Sequence, residues 1–65
     1  MNIYLNGEVQ QTHCQNLLQL IQHLSLDRTR FAVEVNEMII SKSKLEQTPI
    51  AESDRIEIIH AVGGG

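Results

Sequence analysis

Apolar and polar residues alternate across Met1-Asn2-Ile3-Tyr4-Leu5, the period of a strand with one buried face. Asn6-Gly7 follows, and both residues tolerate positive φ, so a hairpin turn is predicted with Glu8 to Gln11 as the returning strand. The period then changes. Cys14, Leu17, Leu18, Ile21 and Leu24 recur at helical spacing, Leu20 widens that stripe on one flank, and Gln15, Gln19, Gln22 and His23 fall towards water. Thr12-His13-Cys14-Gln15 has the form of a capping box and places the helix start there. Ser25 to Arg30 lacks periodicity and reads as a connection. Phe31, Val33 and Val35 then alternate with Ala32, Glu34 and Asn36, a third strand whose β-branched face should meet the helix. Asn36-Glu37 turns the chain into a short fourth strand, Met38-Ile39-Ile40. Ser41 to Thr48 with Pro49 is a polar crossing that holds one helical turn near Leu45. Ser53-Asp54 reads as a turn into the most β-prone run, Ile56 to Val62, which ends on Gly63-Gly64-Gly65.

This order predicts an α+β fold: a mixed sheet of four to five strands with one main helix packed across it. The first and last strands lie parallel in the centre, the β-grasp (ubiquitin-like) arrangement. Residues 1–62 form the domain and 63–65 a flexible C-terminal tail. Ile3, Leu5, Ile56 and Ile58 should line the buried face with the helix stripe above them. Parity puts Tyr4, Ala32, Glu34, Glu57 and Ile59 on the opposite face. There Tyr4 and Ile59 are apolar groups beside carboxylates, a candidate partner-binding patch that Val62 would extend. The competing reading is scattered apolar exposure of the kind every surface carries.

Composition narrows the function. A chain of 65 residues buries only about 60% of the surface it exposes unfolded, so its core is single and thin. With one Phe, one Tyr and no Trp, that core is aliphatic. A formal net charge of −3 argues against nucleic acid as a partner and suits a basic protein surface. A single cysteine, Cys14, cannot form an internal disulfide, which points to a reducing compartment and a cytoplasmic protein. No apolar run is long enough for a membrane span, and Met1-Asn2-Ile3-Tyr4 lacks the basic start of a secretory leader. Cys14, His13, His23 and His60 do not have metal-site spacing, so no metal is expected and Cys14 reads as a buried thiol on the helix stripe. Ser41-Lys42-Ser43-Lys44 reads as a solvated loop. Paired carboxylates, a nucleophile triad and a phosphate-binding glycine loop are all missing, so no bound cofactor is expected. The chain reads as a protein co-substrate and not as an enzyme.

The glycines carry the positive signal. A run without side chains lets another protein draw a carboxylate into a narrow channel, which makes Gly65 the working group and Gly63 and Gly64 its tether. Met1-Asn2-Ile3-Tyr4-Leu5-Asn6-Gly7-Glu8, Ala32-Val33-Glu34-Val35-Asn36 and the run from Asp54-Arg55 to Gly65 together resemble the ThiS family, the sulfur carriers of thiamin biosynthesis. The resemblance covers the whole chain; it departs in the third glycine, where the family's essential feature is two, and in His13, which stands near the helix start where a better cap is expected. It implies that a ThiF-type adenylating enzyme spends ATP to activate the Gly65 carboxylate, and that a sulfur donor enzyme supports its conversion to a thiocarboxylate. A ThiG-type thiazole synthase would then take up the sulfur. Carriers for molybdopterin or tRNA thiolation, a lysine-conjugated modifier and a noncovalent β-grasp binding module are the alternatives.

Overall fold

Two hairpins with two-residue turns frame the sheet. In the first, Asn6 and Gly7 have φ of 51° and 85° and join β1 (Asn2–Leu5) to β2 (Glu8–Gln11) in the register Leu5 opposite Glu8. In the second, Asn36 and Glu37 have φ of 50° and 72° and join β3 (Phe31–Val35) to β4 (Met38–Ile40), with Val35 opposite Met38. Positive φ at both central residues gives the turn whose twist matches the flanking strands. The computed structural model describes residues 1–26 and 30–60. The expected end of the last strand at Ala61 and Val62, and the tail Gly63 to Gly65, lie outside the described residues.

β5 (Arg55–His60) joins the hairpins. It runs parallel to β1 and antiparallel to β3, so the sheet order is β2-β1-β5-β3-β4. This is the β-grasp arrangement expected from the element order, with five strands. One helix, α1 (Leu17–His23), contributes Leu17, Leu20 and Ile21 to a core that also holds Ile3, Leu5, Val33, Ile56 and Ile58. Leu45 and Ile50, from the crossing between β4 and β5, complete it. The helical turn expected near Leu45 is a single 3-10 turn at Lys42–Lys44.

The helix begins later than the sequence suggests. Thr12 is buried at the end of the first hairpin, where its N–H donates to the Met1 carbonyl at 2.9 Å and its Oγ1 accepts from the Cys14 N–H at 3.1 Å. That local bond competes with helix formation and keeps residues 12–15 out of the helix. The cap is Asn16, whose Oδ1 accepts from the Gln19 N–H at 2.8 Å, while Gln19 Oε1 accepts from the Gln15 N–H at 2.8 Å. Tertiary bonds fix the start: the Leu17 and Leu18 N–H groups donate to the carbonyls of Thr48 and Leu45 at 3.0 and 3.3 Å. These are first-turn donors that no residue within the helix can satisfy.

Two packing expectations change as a result. Cys14 precedes the helix and is half-buried against the core, so it is not part of the helical stripe. Leu20 is buried at the centre of the helix face, while Leu18 is only half-buried on its flank. The helix ends in a Schellman motif, with Ser25 at φ 61°, its N–H donating to the Gln22 carbonyl and the Leu26 N–H to the Ile21 carbonyl, both at 3.0 Å.

Candidate functional site

The sheet face away from α1 carries the residues singled out for partner binding. Its layout follows from the register along β5. Level with Arg55 stands Tyr4, and beyond Tyr4 stands Val9 on β2. Level with Glu57 stands Glu34, and beyond it Ile39 on β4. Level with Ile59 stands Ala32. Tyr4, Ala32, Glu57 and Ile59 are exposed as parity requires, while Glu34 is half-buried.

These groups do not form one continuous patch. Tyr4 and Ile59 stand four residues apart along β5, about 13 Å at the strand rise. Tyr4 therefore shares its surroundings with Val9 and Arg55, and Ile59 with Ala32. Val62 and Gly63 to Gly65 lie outside the described residues.

Charge divides the face in the same direction. Glu34 faces Glu57 directly across the β3–β5 ladder, a like-charge pairing that costs stability. Arg55 and Glu37 join them around a shallow concavity of about 270 Å³, so one cation sits among three carboxylates. At the other end of β5, Phe31, Ala32 and Ile59 floor a second concavity of about 330 Å³, rimmed by Arg30, Lys42 and His60. Lys42 Nζ lies 4.5 Å from the centroid of the Phe31 ring, a cation–π contact that ties the crossing to β3. The apolar, basic-rimmed end is the one from which residues 61–65 continue.

Val9, Ile39, Glu37 and Arg55 were not singled out from the sequence. Each was within reach of the same logic. A two-residue turn at Asn6-Gly7 pairs Tyr4 with Val9, one at Asn36-Glu37 pairs Glu34 with Ile39, and Arg55 shares the parity of Glu57.

Side-chain bonds hold the strand that carries the face. Asn6 Oδ1 accepts from the Ile58 N–H at 2.9 Å, and the Asn6 N–H donates to the Ile56 carbonyl at 2.9 Å. At the start of β5, Asn36 Nδ2 donates to Asp54 Oδ1 and Asn36 Oδ1 accepts from the Arg55 N–H, both at 3.0 Å. Asp54 Oδ2 accepts from the Ala51 N–H at 2.9 Å. Asp54 thus closes the turn that launches β5. Among the described residues, no group of three His, Cys, Asp or Glu side chains is placed to hold a metal ion, and no helix is long and apolar enough to cross a membrane.

The model of the ThiS family matches residues 2–65, from the first strand through the glycine run of the sequence. The chain belongs to the ThiS family. Relatives agree along its length. It is 33% identical over 66 residues to the thiazole synthase of Magnetococcus marinus, covering 100% of this chain and 20% of that protein. It is 33% identical over 63 residues to the uncharacterized protein ycf40 of Trieres chinensis, covering 95% of this chain and 86% of that one. The chain spans about a fifth of the length of the thiazole synthases it matches. The crystal structure of the thiamine biosynthesis protein ThiS from Geobacter metallireducens shares its fold, with a TM-score of 0.84 at 23% identity over 100% of both chains. Membership of the ThiS family supports the role of a sulfur carrier in thiamin biosynthesis.

Proposed function

We propose that this ThiS-family chain carries sulfur on the carboxyl group of Gly65 and delivers it to thiazole formation. The family match through residue 65, which includes the glycine run, is the observation that carries the reading. A carboxylate is ionised at neutral pH, its reference pKa being about 3.3 to 3.7, and it resists attack by nucleophiles. A ThiF-type enzyme removes that obstacle by joining a carboxylate oxygen to the α-phosphorus of ATP, with release of pyrophosphate. Sulfide then attacks the acyl carbon and expels AMP, leaving a thiocarboxylate. A sulfur donor enzyme attacking as a persulfide instead forms an acyl disulfide, which a thiol reductant cleaves to release the same thiocarboxylate and leave the donor as a disulfide. Gly64 leaves room beside the reacting carbonyl, and Gly63 adds reach.

A ThiG-type thiazole synthase is the proposed acceptor. The two longer relatives named thiazole synthase support that pairing, because a region similar to this chain occurs within each. The body of the domain serves as the grip, through Ile59 and Ala32 at the end of β5 that leads to the glycines, and through the Glu34, Glu57 and Glu37 carboxylates, which suit a basic partner surface. Tyr4 and Val9 add a second apolar contact. The protein acts in the cytoplasm and needs no bound cofactor of its own.

The test is an intact-mass measurement after incubation with a ThiF-type enzyme, MgATP and sulfide. The expected product is heavier by one oxygen-to-sulfur exchange, requires ATP, and is lost when Gly65 is deleted. An unchanged mass with an enzyme shown to activate its own carrier overturns the proposal.

A further inference from the structure

β4 lies at an edge of the sheet, and among the described residues nothing pairs with its outer side. It also carries the two most exposed large hydrophobic side chains described, Ile39 at 77% and Met38 at 67%. An open edge of this kind is a template for another strand, and folded proteins usually blunt it with charge, proline or a bulge. Met38-Ile39-Ile40 has none of these. The opposite edge, β2, is polar apart from Val9.

We propose that a second copy of this chain pairs antiparallel along β4, about a two-fold axis at Ile39. The backbone supplies the register. Asn36 and Glu37 both have positive φ, so the closing pair Val35 and Met38 exchange hydrogen bonds across the hairpin. The next residue, Ile39, therefore turns its N–H and C=O away from β3. Two copies with Ile39 opposite Ile39 exchange both of these bonds and join their sheets. Met38 of each copy then lies opposite Ile40 of the other.

Charge selects this orientation. The antiparallel register sets Glu37 opposite Ser41 of the second copy, one residue from its Lys42. A parallel register would stack Glu37 on Glu37. The contact is isologous and closes on itself, whereas β4 pairing with β2 of another copy would propagate without closure. The two-fold turns the β5 strands in opposite directions, so their His60 ends stay apart and each copy keeps its Ile59 and Ala32 surface. A three-residue strand buries far less than the roughly 1,000 Å² of a stable interface. The dissociation constant is accordingly expected at about 0.1 to 1 mM.

Sedimentation velocity and amide chemical shifts, followed by dilution from about 2 mM to about 0.02 mM to bracket that constant, test the proposal. The average mass should rise towards two chains, with shifts concentrated at residues 37–41. Ile39→Lys should abolish association while the thermal melt stays unchanged, because the side chain is exposed. Glu37→Lys and Lys42→Glu should each weaken the homodimer by about tenfold, the scale of reversing two exposed ion pairs. An equal mixture of those two variants should regain the lost affinity, because both contacts become attractive again. A chain that stays monomeric at the highest concentration overturns the proposal, as do shifts centred on Val9 or Ile59 or association indifferent to Ile39→Lys. A mixture no tighter than either variant alone overturns the register.

Discussion

The Asn6 side chain accepts a hydrogen bond from the Ile58 N–H at 2.9 Å across 52 positions of sequence. β1 pairs with β5 only from Tyr4 to Leu5, so beyond Leu5 the ladder continues through an amide that stands in for a backbone carbonyl. The bond holds the second half of β5, which leads to the glycines, and it is made by a residue already required to take positive φ.

Asn6→Ala removes that acceptor and leaves the Cβ at φ 51° without the polar group that lets asparagine adopt this region. The expected loss is about 2 to 4 kcal/mol in urea denaturation, the sum of an unpaired, part-buried donor and left-handed strain. Asn6→Gly relieves the strain and isolates the hydrogen bond, with an expected loss of about 1 kcal/mol and faster exchange of the Ile58 amide. Wild-type stability and exchange in Asn6→Gly would show that the clamp contributes nothing.

Ser25 closes the helix in the left-handed region at φ 61°, where glycine is the usual residue. Ser25→Gly keeps both Schellman bonds and removes the steric cost, so it should stabilise the domain by about 0.5 to 1 kcal/mol. The net is below the full strain because glycine also loosens the unfolded chain. A lower melting temperature for this variant would refute the motif.

Helix phase has its own test. Ile21 is 1% exposed and belongs to the buried core, so Ile21→Ala should cost about 2 to 5 kcal/mol. Leu18, half-buried at the flank, should lose clearly less on truncation. Equal losses at the two positions in chemical denaturation would contradict the orientation of α1.

Most of the fold was legible because the strands obey short-range rules. Alternation placed Ile3, Leu5, Val33, Ile56 and Ile58 on one face, and two-residue turns fixed both hairpins. The helix start was not legible, because it depends on carbonyls of Thr48 and Leu45, some thirty residues away. Thr12 matched the pattern of a cap yet spends its hydroxyl on Cys14 in a turn. Similarly, the face of the sheet was assigned correctly by parity, while its division was hidden. Parity says which side a residue occupies, but only the β1–β5 register shows that Tyr4 is level with Arg55 and four residues from Ile59.

That division predicts unequal effects on partner capture. Ile59 is 53% exposed beside Ala32, at the end of β5 that continues into the glycines. Ile59→Asp should raise the concentration of carrier needed for half-maximal adenylation by about tenfold or more, as loss of a central apolar contact does at other interfaces. Tyr4→Ala, at the far end, should have a smaller effect. Both should melt like the wild type, since neither side chain supports the core. Glu57→Lys should slow association, with a difference that shrinks as salt screens the charges. The measurement is initial-rate pyrophosphate release against carrier concentration at two ionic strengths. Normal capture of Ile59→Asp would remove this end of the sheet from the docking surface, and a larger effect of Tyr4→Ala would move the contact to the Val9 side.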